Sequence, residues 1–90
     1  MPGRDEPNTE AILAAVTRIA RSAFQAPLLD LTYETTSDDV ADWDSMNHIT
    51  LVVAIEAYFD IQFSQVEIEE LKSVGELVQA IENNLSVVHY

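Results

Sequence analysis

Three stretches of the chain repeat apolar residues at helical spacing, separated by polar and turn-forming segments. Ile12, Val16, Ile19 and Ala23 recur at intervals of three and four, flanked by Leu13, Ala20 and Phe24, while Arg18 and Arg21 fall on the other side of the same wheel. This spacing predicts a first helix from about Glu10 to Phe24. Asn8 or Thr9 can cap its start, and Pro27 ends it by disfavouring helical geometry at Ala26. A second helix is predicted from a cap at Asp44 or Ser45 through Phe59. Its inner sector collects His48, Leu51, Val52, Ile55 and Phe59, with Tyr58 at the edge. The opposite side holds Met46, Thr50, Val53 and Ala57, where a simple surface helix would carry charges. Such a strip calls for cover, either by the loop within the domain or by a docking protein. Ser64-Gln-Val-Glu67 and Ser73-Val-Gly-Glu76 both match the capping box, so a short helix over about Gln65 to Leu71 and a last one over about Val74 to Leu85 follow. Leu77, Val78, Ile81 and Leu85 form the stripe of the last helix.

Between the first two helices, Gln25 to Asp44 is rich in Thr, Ser and Asp yet carries Leu28, Leu29, Leu31, Tyr33, Val40 and Trp43. A connection this long inside a small domain is expected to wrap the core or to serve function. Its apolar residues are expected to cover one end of the helices, and Glu34, Asp38, Asp39, Asp42 and Asp44 to face water. The expected fold class is all-α: three main helices and one short helix around a single core, with a long loop between helices 1 and 2. Residues 1–8 read as a flexible leader, 9–85 as the helical domain and 86–90 as a tail.

Composition narrows the function. Of the 90 residues, 27 are Leu, Ile, Val or Phe, enough for a folded core, and 16 acidic against 4 basic residues give a formal net charge of −12. Arg4, Arg18, Arg21 and Lys72 are scattered, which argues against nucleic acid and for basic protein partners. The chain has no cysteine, so disulfides, thiolate metal sites and cysteine nucleophiles are excluded and any thiol chemistry must be imported. The first ten residues lack an apolar segment of signal-peptide type. The longest aliphatic run, Leu51 to Ile55, is too short to span a bilayer, so a cytoplasmic, soluble protein is expected; separately, a monomer is expected.

Few residues can carry chemistry. Starting an EF-hand loop at Asp38 puts Trp43 where Gly belongs and Ile49 where Glu belongs; starting at Asp42 puts Asn47 and Val53 there, so no metal site is expected. Ser45 and His48 share a helical turn, but no carboxylate is evidently placed to orient the imidazole, and a domain this small cannot shield a hydrolytic site, so no catalytic residue is assigned. His48 reads instead as a hydrogen-bonded packing residue tying the loop to the second helix; His89, in the tail, is uninformative. Ser45 has a third reading. A hydroxyl at a helix mouth sits where free N–H groups and the dipole favour a phosphodiester, although a Ser there is ordinarily only a cap.

At this point the residues resemble the acyl carrier protein family. Asp44-Ser45-Met46 is similar to its Asp-Ser-Leu signature. Ile49, Leu51, Val52, Ile55, Glu56 and Phe59 fall where the family's second helix has apolar residues and a glutamate. The likeness continues through Phe63, Ile68, Leu71, Lys72-Ser73-Val74 and Ile81, and spans about Glu10 to Leu85. The resemblance implies that Ser45 carries phosphopantetheine derived from coenzyme A, whose thiol holds acyl groups as thioesters. The chain would then be a shuttle rather than an enzyme, in fatty-acid, polyketide or related biosynthesis. Implied partners are a phosphopantetheinyl transferase and acyl-loading and acyl-processing enzymes with basic docking patches. Asp44, Met46, Val53, Glu56 and Ala57 would form the docking surface, and Val52, Ile55, Phe59, Ile68 and Leu71 an acyl pocket between helices 2 and 3; ordinary core is the alternative for these five. The chain departs from housekeeping carriers in having Asn47, Thr50 and Ala57 where carboxylates are usual, and Asp42-Trp43 where a Gly is common. It is more similar to discrete carriers of specialised pathways. A peptidyl or aminoacyl carrier is the runner-up within the same fold, and an unmodified helical adaptor the alternative outside it.

Overall fold

The computed structural model describes residues 9–86, and every regular element in that range is helical: α1 (Thr9–Ala23), α2 (Ser45–Phe59), α3 (Gln65–Glu70) and α4 (Val74–Ser86). A 3-10 turn at Ser37–Asp39 interrupts the long connection after α1. The expected leader and residues 87–90 of the tail, His89 among them, lie outside the described residues.

α1 packs against both α2 and α4. Ile12, Val16 and Ala20 from α1 meet Leu51, Val52 and Ile55 from α2 and Val74, Leu77, Val78 and Ile81 from α4, all of them buried in one core. Each Val, Leu and Ile side chain here contributes about 1.5–3 kcal/mol on leaving water, so this cluster is the main source of cohesion. Phe24, Leu31, Trp43, Phe63 and Leu71 close its ends.

Helix ends are set by local chemistry. α1 ends at Ala23, within a residue of the Phe24 expected and ahead of Pro27. Gln25 turns left-handed at φ 55°, and the Ala26 N–H reaches Arg21 O at 2.9 Å while the Gln25 N–H reaches Ser22 O at 3.3 Å. Those two bonds are a Schellman closure, built here without glycine. α2 also ends over a left-handed residue, Asp60, but here the Asp60 and Ile61 N–H groups both reach Glu56 O, the latter at 3.1 Å. The α3 capping box forms as expected between Ser64 and Glu67. The α4 box forms by half: Ser73 Oγ accepts from the Glu76 N–H, but the Glu76 carboxylate takes the Lys72 N–H rather than that of Ser73.

The remaining free N–H groups of α4 are met by the long loop. Val74 donates to Thr35 O at 2.8 Å and Gly75 to Tyr33 O at 2.9 Å, while Ser37 donates back to Lys72 O at 2.9 Å. Thr36 and Ser73 are thereby paired as an isolated antiparallel bridge. This anchors the loop beside α3 and the start of α4. The loop covers the core less completely than expected. Leu31 and Trp43 are buried and Leu29 and Val40 half-buried, but Leu28 is 94 % exposed and Tyr33 also faces out. The carboxylates of Glu34, Asp38, Asp39, Asp42 and Asp44 face water, as expected.

Candidate functional site

Asp44 resolves the choice of cap for α2. Its extended backbone places Oδ1 2.9 Å from the Asn47 N–H, so its carboxylate closes the helix mouth. Asn47 fixes the approach by donating its amide to Asp42 O at 2.8 Å. Ser45, released from capping, is the first helical residue. Its side chain is exposed, and its hydroxyl hydrogen-bonds to no described residue. The reading of Ser45 as a mere cap is therefore corrected.

Beside Ser45 opens a groove of about 970 Å³ between the long loop, α2, α3 and the α3–α4 link. Trp43, Ile49, Ile68 and Leu71 give it apolar walls, and Thr36, Ser37, Gln65, Ser73 and Lys72 line it with polar groups. His48 lies in the wall with both ring nitrogens engaged: the Trp43 indole N–H donates to Nδ1 at 2.9 Å, and Nε2 lies 2.9 Å from Ile68 O. An indole N–H can only donate, so Nδ1 accepts and the proton sits on Nε2, which donates to the α3 carbonyl. His48 is thus the tie between loop and helix read from the sequence, and it ties α3 as well.

The expected site residues are not all gathered here. Met46 (77 % exposed) and Val53 (57 %) stand out on α2 with Thr50 and Ala57, so the outer strip has no cover among the described residues. Glu56 is half-buried and its carboxylate accepts the Phe63 N–H at 2.8 Å, which clasps the α2–α3 turn. Of the five residues expected to line a pocket, only Ile68 and Leu71 border the groove. Val52 and Ile55 are sealed in the core and Phe59 packs against it from the end of α2.

The loop's share of the groove was not anticipated. Thr36-Ser-Asp-Asp39 carries the signal, a Ser/Thr followed three residues later by an acid, and the Asp39 carboxylate does take the Thr36 N–H at 2.9 Å. Among the described residues no group of three metal-ligating side chains converges, and no helix is long and apolar enough to cross a membrane.

A phosphodiester-linked arm fits this arrangement. The hydroxyl is open to solvent, stands at the positive end of a 15-residue helix, and borders a groove with both polar and apolar walls. Residues 12–81 match the family model described as the phosphopantetheine attachment site, so fold and site define a phosphopantetheine-bearing carrier domain. The acyl carrier protein of Acidothermus cellulolyticus is 32 % identical over 74 residues, covering 82 % of this chain and 88 % of that protein. That of Coprothermobacter proteolyticus is 25 % identical over 76 residues, covering 84 % and 93 %. The solution structure of a holo acyl carrier protein from Geobacter metallireducens superposes with a TM-score of 0.78 at 34 % identity, covering 88 % of this chain and 95 % of that one. The chain belongs to the acyl carrier protein family. Its cofactor is accordingly phosphopantetheine, its partners include a phosphopantetheinyl transferase and acyl-handling enzymes, and it is a carrier rather than a catalyst.

Proposed function

We infer that Ser45 is the attachment residue and that the chain is a cytoplasmic, monomeric carrier of acyl intermediates in a specialised pathway of the fatty-acid or polyketide type. The observation that carries this reading is the exposed, unbonded Ser45 hydroxyl at the head of α2 beside the groove. Loading joins Ser45 Oγ to the phosphorus that bears the pantetheine unit of coenzyme A and breaks the pyrophosphate bond. Adenosine 3′,5′-bisphosphate leaves, and the hydroxyl proton goes to a base on the transferase. When bound, the group supplies the thiol this cysteine-free chain lacks.

The chain's own residues hold and present that arm. Asp44 fixes the helix mouth and with it the position of Ser45. Docking falls to the neighbouring surface of Asp44, Met46, Val53 and Ala57, with Glu56 at its border holding the α2–α3 turn. The acidic surface favours partners with basic patches and raises the encounter rate without demanding a slow-releasing complex. The lack of outward carboxylates at Asn47, Thr50 and Ala57 supports a specialised partner set.

Incubation with coenzyme A and a phosphopantetheinyl transferase is expected to add the mass of one arm to the chain, and Ser45→Ala to abolish the addition. A wild-type chain left unmodified by several active transferases would replace this reading with that of an unmodified adaptor.

A further inference from the structure

The groove beside Ser45 offers a tethered group two environments. Ile49, Ile68 and Leu71 present hydrocarbon, and between the carboxylates that also line it Ser37, Ser73, Gln65 and Lys72 supply hydrogen-bond donors. The other conceivable destination, the seam between α2 and α3, is bridged by His48. Its ring is held from the loop side by Trp43 and reaches across to Ile68 O, each at 2.9 Å. On the same sector of α2, Val52 and Ile55 are no more than 1 % exposed and neither borders the groove. A chain threading the seam on this side must part the Nε2–H from Ile68 O, a bond between half-buried groups, before any apolar contact is gained. A short group has too few methylenes to offset that loss, whereas a group bearing oxygens finds partners without leaving the groove.

We propose that His48 latches the α2–α3 seam and keeps the cargo in the open groove, so that this carrier is matched to short or oxygen-bearing acyl groups rather than to long alkyl chains. The proposal rests on Ser45 carrying the arm.

The test loads butyryl-, octanoyl- and dodecanoyl-phosphopantetheine onto the full chain from the matching acyl-coenzyme A, with intact mass checked first. Failure to load overturns the attachment reading and this proposal with it; a chain that loads tests the latch separately. For the loaded wild type, the three melting temperatures are expected to agree within ~2 °C, because methylenes lying in the open groove stay largely in water. Methyl resonances that shift with chain length should be confined to Ile49, Ile68 and Leu71. In His48→Val, which keeps a branched side chain but no ring nitrogen, the dodecanoyl form should melt above the butyryl form by on the order of 10 °C, and the Val52 and Ile55 methyls should move. A wild type that gains stability with chain length and shifts Val52 and Ile55 would overturn the proposal, as would a folded His48→Val indifferent to chain length. Should that variant not fold, the wild-type series decides alone.

Discussion

Trp43 is the only tryptophan in the chain, and it is buried at the end of the loop, with its ring centroid 6.1 Å from those of both Phe24 and His48. Its packing is hydrophobic, but its N–H has a separate role in selecting the tautomer of His48 and thereby the donor that reaches Ile68 O. Trp43→Phe keeps an aromatic ring and deletes that donor, leaving Nδ1 of a half-buried imidazole without its partner. The expected outcome is a loss of about 1–2 kcal/mol in unfolding free energy, combining a vanished hydrogen bond with a smaller side chain. Urea unfolding followed by circular dichroism checks it: the midpoint should fall with little change in slope. A midpoint equal to wild type would mean that the loop is held without the indole N–H. His48 was legible as a packing histidine because it falls on the apolar sector of α2. Its second partner was not, because Ile68 O is a backbone group 20 residues away and no side-chain pattern announces it.

The helices themselves were readable because α1 and α4 have a periodic apolar face, α2 a long apolar run behind its Asp cap and α3 a capping box, and the observed bounds differ from those read in the sequence by a residue or so. What escaped was closure by backbone alone: the left-handed turn at Gln25, and the loop carbonyls that receive the first N–H groups of α4. Neither depends on a residue type with a strong preference for that role. Gly75 shows how such a contact overrides propensity. In the first turn of α4, replacing glycine by alanine would ordinarily add up to about 1 kcal/mol of helix stability. Here a Cβ would lie 2.8 Å from Tyr33 O, the same carbonyl that accepts the Gly75 N–H at 2.9 Å. Since that oxygen belongs to backbone, it can withdraw only by moving the loop and stretching the bond. Gly75→Ala is therefore expected to destabilise the domain by about 1–3 kcal/mol, against the sign that propensity gives. Thermal unfolding measures it, and amide exchange at Gly75 should speed up as the loop loosens. A variant more stable than wild type would show the loop to be freer than its bonds to α4 indicate.

Across the whole molecule, the net charge of −12 is carried on a body with few attractions to offset it. Both α1 arginines direct an N–H group to a neutral oxygen: Arg18 to the Tyr58 hydroxyl at 3.0 Å and Arg21 to Leu29 O at 2.6 Å. Added salt therefore screens many repulsions and weakens few attractions. At about 0.1 M the screening length is roughly 10 Å, short enough to separate the acidic loop electrically from the far end of α4. Unfolding midpoints are accordingly expected to rise as sodium chloride increases from a few millimolar to about 0.15 M, where the added gain levels off. The same addition should slow encounter with basic partners, since it screens the attraction that steers them. The two effects have opposite consequences for the carrier, a firmer fold and slower encounter, so they can be told apart in one titration by following both melting and loading rate. A midpoint that stays flat or falls would mean that charge repulsion does not limit this fold, and that the excess of carboxylates acts only on encounter.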